Sequence, residues 1–232
     1  MSGDPQIAAQ IRAALGDART VLNVGAGAGA YEPADRAVTA VEPSEAMRAQ
    51  RPPHLPRAVD AVAEALPFAD ASFDAAMSTF SAHHWRDLDK GLAEMRRVTR
   101  GPVVILTSDP DRVGDFWLAD YAPEPTRLRA ARYPAIGTIV SALGGRCRVE
   151  TVPIPRDCAD DFTEAFYGRP EMFLDPAVRR SSGWDQLAAE AAAAFEAKLR
   201  DDLRSGAWDA RHGALRTQPC FAGSLRLIVA HR

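Results

Sequence analysis

The spacing of apolar and polar positions along the chain divides it into short elements of two kinds. Residues 6–15 carry apolar side chains at steps of three and four, which predicts a helix. Residues 20–24 (TVLNV) and 37–41 (AVTAV) are short and rich in β-branched residues, as buried strands are. Ser44 then stands where it can cap a helix that carries Met47 on its inner face. Residues 51–56 (RPPHLP) read as a Pro-rich loop. A short third strand is predicted near 57–62, a fourth over 73–78 and a fifth over 102–107. Between the last two, Asp87 to Val98 predicts a helix with Leu88, Leu92, Met95 and Val98 on related faces. Strand and helix alternate from residue 6 to residue 110, the order of a parallel sheet with helices on both faces.

The second half has a different pattern. Residues 111–133 hold Phe116, Trp117, Leu118, Tyr121 and Tyr133, too aromatic for a plain linker. A helix is predicted over 134–143, ended by Gly144 and Gly145. Residues 147–154 and 224–231 read as strands. Between them, Trp184, Leu187, Ala191, Phe195, Leu199 and Leu203 predict a helix over 184–205. Segments 111–133 and 155–222 are therefore expected to form a helical cap within one domain spanning 1–232.

Composition narrows the function classes. Apolar residues make up 47% and charged residues 25% of 232 positions, enough for a sizeable core. A net charge of −3 gives no basic excess to attract nucleic acid or an acidic membrane surface. No apolar run approaches the roughly 20 residues that span a bilayer, and the start lacks the pattern of a secretion signal. Cys147, Cys158 and Cys220 are odd in number and far apart, as reduced thiols in a cytoplasm would be. His54, His83 and His84 show no metal-ligand spacing, and no metal is expected.

The chemistry starts at residues 21–33, "VLNVGAGAGAYEP". A strand running into Gly25, Gly27 and Gly29 brings backbone N–H groups toward a ligand with no Cβ in the way. With Ala30 the same letters also satisfy the dinucleotide fingerprint, so an NAD-dependent oxidoreductase stays open at this point. So does a plain glycine-rich turn. Glu42 lies 17 residues beyond Gly25 and ends the next strand. A carboxylate there can accept hydrogen bonds from both hydroxyls of a ribose, or it can cap the helix that starts at Ser44.

Two further motifs follow in order: Ala63 to Phe68 (AEALPF), then Asp70, Ser72, Phe73 and Asp74 (D-x-S-F-D). Together with Val21 to Gly29, this series resembles the class I S-adenosylmethionine-dependent methyltransferases, in particular the large bacterial group of small-molecule enzymes. The resemblance covers roughly residues 15–110. It implies a Rossmann-like, mostly parallel seven-stranded sheet whose final hairpin is reversed, where dehydrogenases continue with parallel strands. It implies S-adenosylmethionine as cofactor and methyl transfer to a small-molecule acceptor in a cytoplasmic monomer or homodimer. A protein of the same fold that keeps the cofactor without transferring methyl is the alternative.

The resemblance also implies a cofactor site. Asn23, Gly25, Ala26, Gly27 and Gly29 would face the methionine moiety, with Tyr31 closing one side. Glu42, followed by Pro43, would hold the ribose. Met47 would lie near the adenine, Ala63 would offer it a backbone amide, and Glu64 would stand beside it. Ser78, Thr79 and Phe80 would leave the fourth strand beside the sulfonium. The chain departs from the family at Asn23 and Val62, where acids are common. The interval from Gly25 to Glu42 is also short. Tyr31-Glu32-Pro33 falls where a first helix would run, and Pro33 fits only a helix's first turn.

On the acceptor side, His83 and His84 are the candidate bases, with Trp85 beside them for a flat substrate. The same letters fit a helix start with Trp85 in the core. His212 is a further candidate among charges. Phe116, Trp117 and Tyr121 either line a cap or pack helices onto the sheet.

Overall fold

A computed structural model describes residues 3–181 and 189–231. In chain order its elements are α1 (Pro5–Ala14), β1 (Thr20–Val24), β2 (Ala37–Val41), α2 (Glu45–Ala49), β3 (Ala75–Thr79), α3 (Leu88–Val98), β4 (Val103–Ser108), α4 (Pro123–Ala130) and α5 (Ile136–Leu143). There follow β5 (Arg146–Thr151), β6 (Ile154–Pro155), α6 (Pro176–Ser181), α7 (Ala189–Ser205), α8 (Ala207–His212), β7 (Cys220–Phe221) and β8 (Leu225–His231). The chain divides into two compact units, residues 1–109, 133–152 and 225–232, and residues 110–132 and 153–224.

The first unit is built on a six-stranded sheet of order β2-β1-β3-β4-β8-β5. The strands from β2 to β4 are parallel. β8 runs antiparallel between β4 and β5, which gives the reversed final hairpin. Residues alternate between the two faces. On one face Leu22, Val24, Ala76, Val103, Ile105 and Ile228 pack beneath Leu92, Met95 and Val98 of α3 and Ile139 and Leu143 of α5. On the other face Val21, Val104, Leu106 and Val229 are equally buried, and α1 meets β4 there, with Ile7 and Ile11 inaccessible to solvent. Each such aliphatic side chain contributes about 1.5–3 kcal/mol. Asp4 starts α1 by accepting from the amides of Gln6 (2.9 Å) and Ile7 (3.2 Å).

Six strands stand where seven were expected. The segment 57–62 joins β2 through Val59 alone, whose N–H donates to Ala40 (2.8 Å) and whose carbonyl accepts from Glu42 (3.0 Å). Val59 is 36% exposed, so burial does little to reward further pairing there. The strand expected over 147–154 ends at Thr151. Pro153 has no N–H to continue the ladder, and Ile154–Pro155 pairs instead with Cys220–Phe221 in a separate two-stranded ribbon. The helix expected over 184–205 is described from Ala189 onward, and its first residues lie outside the described ones.

The second unit has an aromatic core of its own. Trp117 meets Trp208, Phe173 and Tyr121 edge-on, with ring centroids 5.4, 5.5 and 5.7 Å away. Its indole N–H donates to the carbonyl of Tyr167 (3.0 Å). Phe116, Trp117 and Tyr121 are all buried in this core. The buried Glu164 accepts from the amide of Ser224.

Candidate cofactor site

β2 lies on one side of β1 and β3 on the other. This reversal places a switch point at β1, and an open α/β sheet leaves a crevice beyond the carboxyl ends of its strands at such a point. Gly25, Glu42 and Phe80 follow the carboxyl ends of β1, β2 and β3. The topology therefore brings together three of the segments singled out in the sequence.

The glycine loop needs its glycines. Gly25, Gly27 and Gly29 have φ of +68°, +51° and +87°, a region that side chains disfavour. The amides of Gly25 and Ala26 both donate to the carbonyl of Val41 (2.9 Å each), which fastens the loop to the end of β2. A Cβ on Gly25 would overlap the Ser81 side chain, and one on Gly27 would meet the Met47 methyl group at 3.3 Å. Ser81 is held in turn by the Trp85 indole N–H, which donates to its hydroxyl (3.1 Å).

Glu42 joins the loop to the following helix. Its Oε2 accepts from the amide of Gly27 and its Oε1 from that of Ser44, both at 2.8 Å. The residue is only 8% exposed. A carboxylate offers about four acceptor positions, so two remain for hydroxyl donors. The two sequence readings of Glu42, helix cap and ribose ligand, are therefore compatible. Ser44 caps α2 as expected, accepting from Met47 (3.3 Å), while Pro43 is exposed.

No helix forms between β1 and β2. The detour through Tyr31, Glu32 and Pro33 is pinned instead by charges that the sequence reading left without a role. Glu32 takes both oxygens to the Arg51 guanidinium (3.0 and 2.9 Å) and accepts from the Asn23 side-chain amide (3.1 Å). Asn23 is 1% exposed, and its Oδ1 has no hydrogen-bond partner. Tyr31 is buried against Gly3, with its ring 6.4 Å from that of Phe80. The short interval from Gly25 to Glu42 and the proline at position 33 hinted at the missing helix, but nothing in the sequence pointed to the brace.

At the end of β3, Ser78 is fully buried and its hydroxyl lacks a partner, while Thr79 is half-buried. Phe80 sits in the left-handed region at φ +50°, rare for a bulky residue and typical of a functional turn. His83 and His84 follow in a short 3₁₀ turn, their rings 3.9 Å apart. The His83 ring also meets that of Tyr133 at a tilt, 4.6 Å between centroids, and His84 is exposed. His212 belongs to the second unit, beside Trp208 and 3.3 Å from Asp120.

The remaining motif residues hold loops in place. Ala63 is buried in the core beneath α3, near Gly91. Glu64 accepts from the amides of Arg86 (2.7 Å) and Asp87 (3.1 Å) and so steadies the approach to α3. Arg97 donates to the carbonyls of Leu66 and Phe68 and pairs with Asp70, while Glu94 accepts from the amide of Leu66. Asp74 stands at the opposite end of β3 from the glycine loop. It accepts from the amides of Arg19 and Thr20 and pairs with Arg100. The Thr20 amide, then the Arg100 guanidinium, hold its carboxyl well below the usual carboxylate range.

A glycine loop at the switch point, an acidic residue ending β2 and a reversed final hairpin define a class. The chain belongs to the class I S-adenosylmethionine-dependent methyltransferases. The family profile described as "methyltransferase domain" matches residues 22–105, from β1 into β4. Within the class, one similar solved structure is a protein of Anabaena variabilis, described as a methyltransferase from an antibiotic biosynthesis pathway. It is 29% identical, with a TM-score of 0.89 over 98% of this chain and 97% of its own. A malonyl-[acyl-carrier protein] O-methyltransferase of Pseudescherichia vulneris is 34% identical over 167 residues, 66% of this chain. The protein YafE of Escherichia coli K12 is 42% identical over 60 residues. The chain spans 66% and 29% of the lengths of these two relatives.

Proposed function

We propose that the protein transfers a methyl group from S-adenosylmethionine to a small-molecule acceptor. The observation that carries this reading is Glu42, buried at the end of β2, tied to the glycine loop and α2, and still able to accept two hydroxyl donors. The site fits the cofactor in one other respect: the Oδ1 of Asn23 is an unused buried acceptor suited to an ammonium group.

When bound, S-adenosylmethionine supplies a methyl group on a sulfonium, an electrophile that asks mainly for an aligned acceptor and exclusion of water. In this reading Glu42 accepts from the ribose hydroxyls. The loop from Gly25 to Gly29, with Ala26, follows the methionine moiety, and Tyr31 closes its side. Met47 and the Ala63 amide serve the adenine. Ser78, Thr79 and Phe80 line the end of β3. His83 and His84 are the candidates to take a proton from a hydroxyl or amine acceptor.

Acceptor recognition is assigned to segments 111–133 and 155–222. Support comes from their makeup: they fall almost wholly in a compact unit with an aromatic core of its own, apart from the unit that carries the glycine loop. All three cysteines are free, which fits a reducing cytoplasm, and a monomer or homodimer suffices for the chemistry. Among the described residues no helix is long and apolar enough to cross a membrane.

Titration calorimetry with S-adenosylhomocysteine tests the reading. Micromolar binding, lost in Glu42→Ala, is expected; absence of heat with folded wild-type protein would overturn it. The neutral Asn23 favours one second reading, a fold that keeps the cofactor without transferring methyl. Tight binding with no turnover across an acceptor panel would select that reading.

A further inference from the structure

The Pro-rich loop 51–56 found no role in the sequence, yet it reaches the glycine loop. Arg51 follows α2, and its guanidinium is almost wholly buried, at 4% exposure. Nη1 donates to the carbonyl of Gly27 (3.2 Å), and Nη2 donates to both oxygens of Glu32. Nε and Nη2 also donate to the carbonyl of Pro56 (3.1 and 3.0 Å), which closes the Pro-rich loop around the same group. Leu55, from that loop, stands where a Cβ on Gly29 would be. Glu32 is 1% exposed and carries Asn23 on its other side. One cation thus joins the glycine loop, the helix-free detour and the Pro-rich loop.

A buried ion pair is poor evidence of stability, because desolvating two charges offsets most of their attraction. A helix after the glycines would have fixed this loop through its own backbone ladder, and here there is none. We propose that Arg51 and Glu32 are positioning residues that hold the glycine loop in its cofactor-binding conformation in place of that helix. The proposal rests on the reading of the loop as the S-adenosylmethionine site. Arg51 is suited to the task because its planar fork can serve several acceptors at once, which a lysine ammonium cannot do in the same geometry.

The test uses the full chain. The Arg51→Met/Glu32→Leu double variant removes both charges at similar volume, so it keeps the fold where either single change strands a buried charge. S-adenosylhomocysteine affinity is expected to fall about tenfold, as loss of the loop-directed hydrogen bonds implies. The affinity for 5′-methylthioadenosine, which lacks the amino-acid arm, is expected to fall less. Amide exchange at residues 27–30 should quicken. Arg51→Lys covers the case in which the double variant does not fold: it keeps the charge and loses the fork, and weaker homocysteine-ligand binding at an unchanged melting temperature supports the proposal. If a folded double variant, or failing that Arg51→Lys, binds both ligands as wild type does, the proposal is overturned. If wild type binds neither, the cofactor reading itself falls, and the two failures stay distinct.

Discussion

Substitution of Gly25 by alanine separates two strains that the loop imposes at one position. The first is conformational: φ is +68°, and a Cβ in the left-handed region costs roughly 1–2 kcal/mol. The second is steric: the added Cβ overlaps the Ser81 side chain, whose hydroxyl is held by Trp85. Forcing an extra methyl into such a packed place costs about 1–3 kcal/mol. Together they predict a loss near 3 kcal/mol, or roughly 6–12 °C in melting temperature for a chain of this size. Ser81→Gly alone should cost only about 1 kcal/mol, the value of the bond from the Trp85 indole. In the Gly25→Ala/Ser81→Gly double variant the overlap is gone and the φ strain remains. It should therefore be more stable than Gly25→Ala, with a coupling of about 1–3 kcal/mol in the cycle. Thermal and denaturant unfolding of the four proteins measures this. Additive losses, or a double variant no more stable than Gly25→Ala, would refute the account of Gly25 as a contact-enforced glycine.

Three further outcomes are expected. Glu42→Gln keeps the shape and loses the charge, so S-adenosylhomocysteine affinity should fall about ten- to a hundredfold, the range for hydrogen bonds to a charged acceptor; calorimetry reads it. Asp74 has its folded pKa depressed below its ordinary 3.8, so its stabilisation is complete above that value and is lost as pH falls through the lower folded one. Asp74→Asn should thus be less stable at neutral pH and show a shallower loss between pH 4 and the acid limit in a series of melts. His83→Ala and His84→Ala should leave S-adenosylhomocysteine binding within about twofold, as changes outside a contact do. If either lowers turnover of an acceptor, the dependence of its rate on pH should flatten near neutrality.

What could be read in advance follows the range of the interactions. β1, β4 and β8 were legible because each is a local run of buried β-branched or apolar residues, and burial on both faces enforces it; β2 was legible from its β-branched run, though only Ala40 and Val41 are fully buried. The third strand was not, because whether 57–62 pairs depends on cover that a remote element would have to supply. Glu42 was legible from its place at a strand end. Arg51 was not: its partners are the carbonyls of Gly27 and Pro56 and the side chain of Glu32, which no spacing rule relates to an arginine at position 51. The motif residues from Ala63 to Asp74 gave the family away, yet several of them hold the 63–70 loop to α3 and β3 to β1 rather than face the crevice.

The helix that the resemblance places after the glycines is missing from this chain, and the kind of ligand the loop serves makes its loss tolerable. A dinucleotide presents a pyrophosphate, and the N-terminus of the helix after the glycines meets it with oriented amides and a positive dipole end. S-adenosylmethionine carries no phosphate; its one anionic group is the carboxylate of the methionine moiety and its reacting centre is a cation, so less is asked of a positive helix end beyond Gly29 than a pyrophosphate asks. What the loop still requires is a fixed path, since the amide of Gly27 must meet Glu42 and the Oδ1 of Asn23 must stay clear. A short detour braced by Glu32 and Arg51 satisfies that requirement in fewer residues than a helix. The same reasoning forbids the reverse exchange: without a helix end and with a glutamate beneath the loop, this cradle is ill suited to a pyrophosphate. NADH should therefore show no change in nicotinamide fluorescence on mixing with the protein, and an enhancement would show that the brace does not decide the ligand.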